Sequence, residues 1–384
     1  MIPEEFKDMR PFEPEELPAA YDSLLADPMF RAVVGMVMPQ IPAEALGPMM
    51  HGCKTCLEFQ YTFIRPLLDE VIKKCTTGLT SNLDNLALSK ERENYTYISN
   101  HRDIVLDSGL LDMVLFTQMG FNTVEIAIGD NLLIYPWIKT LVKLNKAFTV
   151  KRGLSPRELM ESSQRMSRYM HYAIQGKREN IWIAQREGRA KDSSDHTQES
   201  LLKMFAMAGE GSVIDRLKEL CLVPLSISYE YDPCDYLKAQ EFQQKRDDPS
   251  WKKSKQDDLD NMKIGIFGFK GHVHYRTGTP VNQWIDELKD MPKTEIFKEI
   301  ALRLDKAIHS GYMLYPGNFI AYDELHGTDC FKNRYSQHDK KVFEEYINGQ
   351  IAKIKLPNPD VPFLREKLLA MYANPVINKE KAVG

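Results

Sequence analysis

The sequence predicts an α/β protein in which helices cover a mostly parallel mixed sheet and a helical cap precedes it. Short β-rich runs alternate with helical apolar patterns between residues 95 and 230, which is typical of parallel strands joined by helical crossovers. The chain has 384 residues, 43% of them hydrophobic, which is enough for one large domain with a smaller appendage.

The first 80 residues are predicted to form a helical N-terminal region. Apolar residues recur at three- and four-residue steps in 15–26 and 57–74, and no β-rich run interrupts them. Pro18 lies near the start of the first pattern, where proline is tolerated, whereas Pro66 is expected to kink or divide the second.

Strands and helices then alternate in residues 81–320, the predicted α/β domain. The predicted strands span residues 95–99, 123–128, 148–150, 181–184 and 222–229. The predicted helices begin near Asp103 and cover residues 132–144 and 156–174.

A charged stretch and a helical tail complete the predicted organisation. Residues 232–261 are highly charged and are predicted to be a surface insertion within the α/β domain. Residues 263–269 and 272–277 have β character and are predicted to pair as a hairpin. Residues 296–308 carry a helical apolar stripe, and residues 321–384 are predicted to be a helical C-terminal region.

Net charge and hydropathy exclude several classes of function. The formal net charge is −4, whereas nucleic-acid-binding proteins carry a basic excess, so we predict no nucleic-acid partner. No run reaches the roughly 20 apolar residues of a membrane span. Residues 1–16 are acidic and proline-rich, which is not typical of a signal peptide. We therefore expect a cytoplasmic protein.

One basic stretch predicts a contact with an anionic membrane surface or a phosphate. Six basic side chains and no acidic one lie between residues 139 and 157: Lys139, Lys143, Lys146, Lys151, Arg152 and Arg157. The apolar residues 132–138 before this stretch fit either a buried core helix or an amphipathic element at a membrane interface. The expected association is peripheral.

The cysteines do not predict a metal site. Cys53 and Cys56 have the spacing of half a zinc site, but no second pair completes the four ligands. We therefore predict no metal and expect unpaired thiols in a reducing compartment.

His101 is the strongest candidate for a catalytic residue. It follows a β-rich run, precedes a helical pattern, and has Asp103 and Asp107 close behind it. Histidine exchanges a proton near neutral pH, and a nearby carboxylate can fix the ring tautomer and stabilise the charged ring. The alternative is a helix start at which Asn100 or Asp103 is the cap and His101 has no role.

Three other chemistries lack the motifs that they require. His101-Arg102-Asp103 matches the start of the protein-kinase catalytic loop, but Ser108 stands where that loop needs asparagine. No Gly-x-Ser-x-Gly turn of a serine hydrolase and no Walker A phosphate loop occurs in the chain.

Four blocks of sequence, in order, resemble the signature blocks of the glycerol-3-phosphate and lysophosphatidic acid acyltransferase family. The blocks are Ser-Asn-His-Arg-Asp at 99–103, Phe-Thr-Val-Lys-Arg at 148–152, Ile-Trp-Ile-Ala-Gln-Arg-Glu-Gly-Arg at 181–189 and Val-Pro-Leu-Ser-Ile-Ser-Tyr-Glu at 223–230. The resemblance covers residues 95–230.

This resemblance implies the family's fold and its reaction, in which a fatty acyl chain moves from an acyl thioester to a hydroxyl of a glycerol-phosphate-type acceptor in phospholipid biosynthesis. It implies His101 as general base, acyl-CoA or acyl carrier protein as co-substrate, and no cofactor. The acceptor-binding residues that it implies are Arg102, Lys151, Arg152, Glu187, Gly188, Arg189 and Lys191. The alternatives are a different lipid acceptor, such as an amino-lipid or lysophospholipid, and a non-catalytic lipid-binding relative.

Two departures from the family's spacing leave the carboxylate partner of His101 open. The family's acid would fall at Leu106, whereas the acid here is Asp107, and Arg189 follows Gly188 without the usual intervening residue. We favour Asp107 because one extra residue in the turn before the helix would restore its direction. Asp103 is placed to cap that helix.

Overall fold

The computed structural model describes residues 2–87, 94–120 and 122–384, and these contain one seven-stranded sheet. The strands are β1 (Gly78–Asn82), β2 (Thr96–Ser99), β3 (Val124–Gly129), β4 (Ala147–Val150), β5 (Asn180–Ala184), β6 (Leu222–Tyr229) and β7 (His272–Thr277). Their order is β1-β7-β6-β2-β5-β3-β4, and only the β6–β7 pair is antiparallel. The predicted α/β class with a mostly parallel mixed sheet is confirmed.

Seventeen α-helices surround this sheet in the described part of the chain. They are α1 (Leu17–Ala26), α2 (Pro28–Val37), α3 (Ala43–Gly52), α4 (Cys56–Phe59), α5 (Arg65–Cys75), α6 (Asp84–Ala87), α7 (Leu106–Val114), α8 (Pro136–Leu144), α9 (Pro156–His171), α10 (Glu199–Phe205), α11 (Val213–Glu219), α12 (Asp235–Asp247), α13 (Lys255–Phe267), α14 (Lys293–Ser310), α15 (Pro316–His326), α16 (Gln337–Ala352) and α17 (Val361–Val383). A π-helical turn at Gln60–Ile64 joins α4 to α5, immediately before Pro66, where a proline forces local adjustment of a helix.

The core has two layers because successive side chains of a strand point to opposite faces of the sheet. Tyr97 and Trp182 are buried on the face that α5 and α7 cover. Ile98 and Ile183 are buried on the other face, against α9 and α14. All four residues of β2 are buried, as expected for a central strand with helices on both sides.

The helical regions at the two ends of the chain have cores of their own. Helices α1, α2 and α3 pack on α8 around Leu24 and Phe59, and α12, α15, α16 and α17 pack together around Leu368. The predicted helices at 15–26 and 57–74 are present. The sequence did not predict β1, whose residues Gly-Leu-Thr-Ser-Asn have low β propensity.

Two sequence predictions for residues 232–269 are wrong. Residues 263–267 are the end of α13 and not a strand, because the reciprocal Ser254–Asp257 cap begins a helix that runs past them. β7 therefore pairs with β6 and β1 instead of forming a hairpin. The charged stretch lies between β6 and β7 and is largely helical: Asp235, Lys238 and other residues of α12 are buried, whereas residues 245–250 and 254–256 are exposed.

The described residues contain no membrane-spanning helix, metal-binding cluster or disulfide. None of the helices there is both long and apolar enough to cross a lipid bilayer. His, Cys, Asp and Glu side chains form no group of three that could hold a metal ion in those residues. No disulfide joins the cysteines, all of which lie in the described ranges.

Candidate active site

His101 lies in the turn between β2 and α7, where it contacts one carboxylate. Its Nδ1 atom is 2.8 Å from Oδ2 of Asp107, and the same oxygen accepts a hydrogen bond of 2.6 Å from the backbone N–H of Arg102. The Asp107 side chain is 1% exposed, whereas the His101 ring is 14% exposed. A buried carboxylate at Nδ1 favours the tautomer with its proton there, and Nε2 then carries the lone pair of a base.

Asp103 has a different contact and does not reach the His101 ring. Its Oδ1 accepts hydrogen bonds of 2.8 Å from the backbone N–H groups of Val105 and Leu106, which caps the start of α7. Burial raises the pKa of this carboxyl, and the neighbouring Asp107 adds to the rise. Helix α7 begins at Leu106, three residues later than expected, so that residues 100–105 form the turn. Of the two candidates, Asp107 is the one at His101.

Two residues hold the turn in place: Asn100, which the sequence analysis considered only as a helix cap, and Trp182, to which it gave no role. The Asn100 side chain extends the hydrogen bonding of the sheet. Its amide nitrogen donates to the carbonyl of Ile227, and its amide oxygen accepts from the N–H of Ile227. Trp182 donates from Nε1 to Ser99, and its ring meets the His101 ring edge-on at 5.5 Å. Asparagine directly after a buried strand is the only sequence signal for this role.

Arg102 is turned away from His101 into the protein. Its guanidinium is 7% exposed, lies 3.4 Å from a buried carboxylate oxygen of Asp195, and stacks over the Tyr312 ring at 5.6 Å. An arginine in an ion pair of this kind stabilises the loop that carries Asp195. Arg102 also lines a small cavity with Asp232 and Tyr312, and the acceptor-binding role that the resemblance implies for it stays a prediction.

The second and third blocks meet at an ion pair. Nη1 of Arg152, after β4, lies 2.9 Å from Oε1 of Glu187, after β5, and both side chains are partly exposed. Gly188 has a φ of 68°, which glycine adopts without the strain that a Cβ would bring. Lys151 is exposed beside Arg152. These four residues lie at the carboxyl ends of parallel strands, where α/β proteins bind ligands.

Arg189 and Lys191 have partners from the charged stretch that follows β6. Arg189 donates from Nη2 to Oδ1 of Asn261 at 3.1 Å, and Lys191 forms an ion pair with Glu241. The Nη1 atom of Arg189 is buried without a hydrogen-bond partner among the described residues. Both residues thus lie near the site, under α12 and α13.

The basic stretch from 139 to 157 is not one continuous surface. Lys143 is buried, with its ammonium 3.4 Å from the carbonyls of Lys7 and Asp8, and burial lowers its pKa to about 8. Lys146 is also buried and pairs with Glu179 at 2.8 Å. These two lysines are directed into the protein, and a contact of the basic stretch with an anionic membrane or a phosphate stays a prediction for the other four basic side chains.

Comparisons with known proteins found matches only among solved structures. No protein-family description matches the chain, and no curated protein matches it. One solved structure that is similar is the 1-acyl-sn-glycerophosphate acyltransferase PlsC of Thermotoga maritima, with 14% sequence identity and a TM-score of 0.35. The alignment covers 75% of this chain and 93% of that one.

Proposed function

We propose that the protein is an O-acyltransferase that moves a fatty acyl chain from an acyl thioester to a hydroxyl of a glycerol-phosphate-type acceptor in phospholipid biosynthesis. The observation that carries this proposal is the His101–Asp107 pair, in which a buried carboxylate holds a partly exposed imidazole. The order of the four sequence blocks supports the same reaction. Acyl-CoA or acyl carrier protein would be the donor.

In the proposed reaction, Nε2 of His101 takes the proton of the acceptor hydroxyl as its oxygen attacks the thioester carbonyl. The new C–O bond forms, the C–S bond breaks, and the thiol leaves with the proton that the imidazolium returns. Asp107 stabilises the imidazolium between these steps. Binding both substrates in one site converts their encounter into a positioned reaction, which lowers the barrier without a covalent intermediate.

The acceptor phosphate would bind at the strand ends beyond the His101 turn. Arg152 and Lys151 after β4 and Arg189 after β5 supply the cations, and a guanidinium can bind two phosphate oxygens at once. Arg152 would exchange the exposed carboxylate of Glu187 for the phosphate. Because Arg102 is already paired with Asp195, we do not assign it to the acceptor.

The test of this proposal is mass-spectrometric product analysis with the purified protein. Glycerol 3-phosphate and lysophosphatidic acid are each offered with acyl-CoA and with acyl carrier protein as donor. A new acylated product in one of the four mixtures supports the proposal. Lipid binding without product in all of them would instead support a non-catalytic lipid-binding protein.

Replacing Arg152 by glutamine is expected to raise KM for the phosphate-bearing acceptor about tenfold, since one charge-assisted hydrogen bond is lost. KM for the acyl donor should change by less than about twofold, because the donor does not use this contact. The matched control is Arg157→Gln, in the same basic stretch but 91% exposed on α9. An equal rise of KM for both substrates would show that Arg152 is structural.

We also propose that the protein contacts an anionic membrane through α2 and its neighbours. Only Phe30 of the ten residues in α2 is buried, and the methionines Met29 and Met36 are 46% and 65% exposed. Phe30 contacts Trp137 of α8, so α8 lies beside α2. The exposed Lys139 belongs to α8. Apolar side chains flanked by lysine and arginine are typical of peripheral contact with lipid.

We expect the protein to co-sediment with phosphatidylglycerol-containing vesicles at low salt and to be released at high salt, which screens the basic side chains. Met36→Asp should weaken this binding several-fold. The control is Leu302→Asp, at a leucine of α14 that is 56% exposed. Equal binding by the two variants, or no binding at low salt, would contradict the proposed surface.

A further inference from the structure

Helix α13 covers the candidate active site with little core of its own. Of its thirteen residues only Asn261 and Gly265 are buried, and both face residues of the site. Asn261 accepts from Arg189, and a Cβ at Gly265 would clash with Oδ2 of Asp103. The two buried positions of α13 therefore lie against the guanidinium of the third block and the cap of α7.

The C-terminal end of α13 is fixed to the protein. Lys270 is fully buried and donates from Nζ to the carbonyls of Ile266 at 3.0 Å and Gly268 at 2.6 Å, which caps the end of the helix. The thiol of Cys75 lies 3.3 Å from the carbonyl of Phe267. The N-terminal end instead follows an exposed loop and begins at the exposed Ser254. The C-terminal end of α13 is thus anchored by buried contacts, the Cys234 thiol contacts the carbonyl of Asn261 at 3.4 Å in the middle of the helix, and the N-terminal end carries the partly buried Lys253–Asp258 ion pair.

In the Arg189 guanidinium, Nη2 donates a hydrogen bond and Nη1 has no hydrogen-bond partner among the described residues. The Asn261 side chain is oriented by its own helix, because its Nδ2 donates to the carbonyl of Asp257 at 2.7 Å. This leaves Oδ1 toward Nη2 of Arg189. Nη1 is buried and makes no hydrogen bond within the described residues. A buried cationic N–H group without an acceptor is costly, and an oxyanion would satisfy it.

We propose that Asn261 is a positioning residue for Arg189, and that α13 is the cover that opens about its Lys270 end to admit the acceptor phosphate. Asn261 holds Nη2, so that Nη1 is directed to a phosphate oxygen once the cover closes over the bound acceptor. This inference rests on the proposed function and adds to it a specific contact and a moving element. It assigns a role to the charged stretch that the sequence alone placed on the surface.

The test uses the full chain and two measurements that do not depend on turnover. Glycerol 3-phosphate is titrated calorimetrically into wild type, Asn261→Ala, Asn261→Asp and the control Gln256→Ala, which lies on the exposed side of α13. Hydrogen exchange of the α13 amides is followed with and without the ligand. Thermal melts check that each variant is folded. Asn261→Asp keeps the shape of the side chain if the alanine variant is unstable.

We expect Asn261→Ala to weaken binding about tenfold and Asn261→Asp to weaken it further, because a carboxylate would neutralise Arg189. Gln256→Ala should bind like wild type, and the ligand should slow exchange in α13 of wild type. In turnover assays KM for the acceptor should rise more than kcat falls. This inference is overturned, and the proposed function is not, if the Asn261 variants bind glycerol 3-phosphate as wild type does. The same holds if the ligand does not change hydrogen exchange of the α13 amides. No binding of glycerol 3-phosphate by wild type also overturns this inference, whereas the proposed function is decided separately by the product analysis with both acceptors.

Discussion

Replacing His101 by alanine is expected to lower kcat by roughly 10²- to 10⁴-fold, the usual contribution of a positioned general base. The His101 ring is partly exposed, and its Nδ1 contacts the buried carboxylate of Asp107. The fold should persist, because the turn is held by the two hydrogen bonds of Asn100 and by the Asp103 cap.

The measurement is turnover of purified protein beside a thermal melt. The matched control is His51→Ala, since His51 forms a second histidine–aspartate pair, with Asp22 at 3.0 Å, on the exposed surface of α3. That variant should keep wild-type turnover. If His101→Ala retains nearly full activity, His101 is not the base and the proposed mechanism fails.

Asp107→Asn is expected to lower kcat by about two orders of magnitude. The amide has no charge to stabilise the imidazolium. It can also donate from its nitrogen to Nδ1 of His101, which would place the ring proton on Nε2 and remove the base. The N–H of Arg102 donates to the same Oδ2 atom, so this hydrogen bond is lost where the amide nitrogen takes that place. Asp107→Asn is therefore also expected to lower the unfolding free energy by about 1 kcal/mol.

The companion variant is Asp103→Ala, which removes two backbone hydrogen bonds at the start of α7. It is expected to cost about 1 kcal/mol of unfolding free energy, typical of a lost N-cap, and to lower Tm by a few degrees. Turnover should fall far less than in Asp107→Asn. Kinetics and melts of the pair decide the assignment, and the reverse pattern would give the catalytic role to Asp103.

The parts of the site that the sequence could predict are those that depend on local order. His101 and Asp107 are six residues apart across one turn, so strand, turn and helix patterns bring them together. The fold class could be predicted for a similar reason, since alternating strands and helices admit few arrangements.

The parts that could not be predicted depend on contacts between distant segments. Arg102 contacts Asp195 and Tyr312, which follow it in the sequence by 93 and 210 positions. Lys143 and Lys146 are buried, and the number of basic residues in the stretch does not show which of them face the solvent. Residues 263–269 alternate like a strand, and only the cap at Ser254 and the buried Lys270 show why they end a helix.

The place of β1 at the edge of the sheet has a consequence for synthesis on the ribosome. Its partner is β7, and Gly78 pairs with His272, 194 positions further along the chain. At roughly 5–20 residues per second, β1 emerges about 10–40 s before that partner exists. Until β7 is synthesised, the backbone of β1 is unpaired and can pair with a strand of another chain, which leads to aggregation. With one large apolar residue among Gly-Leu-Thr-Ser-Asn, β1 is poorly suited to pair with other nascent chains.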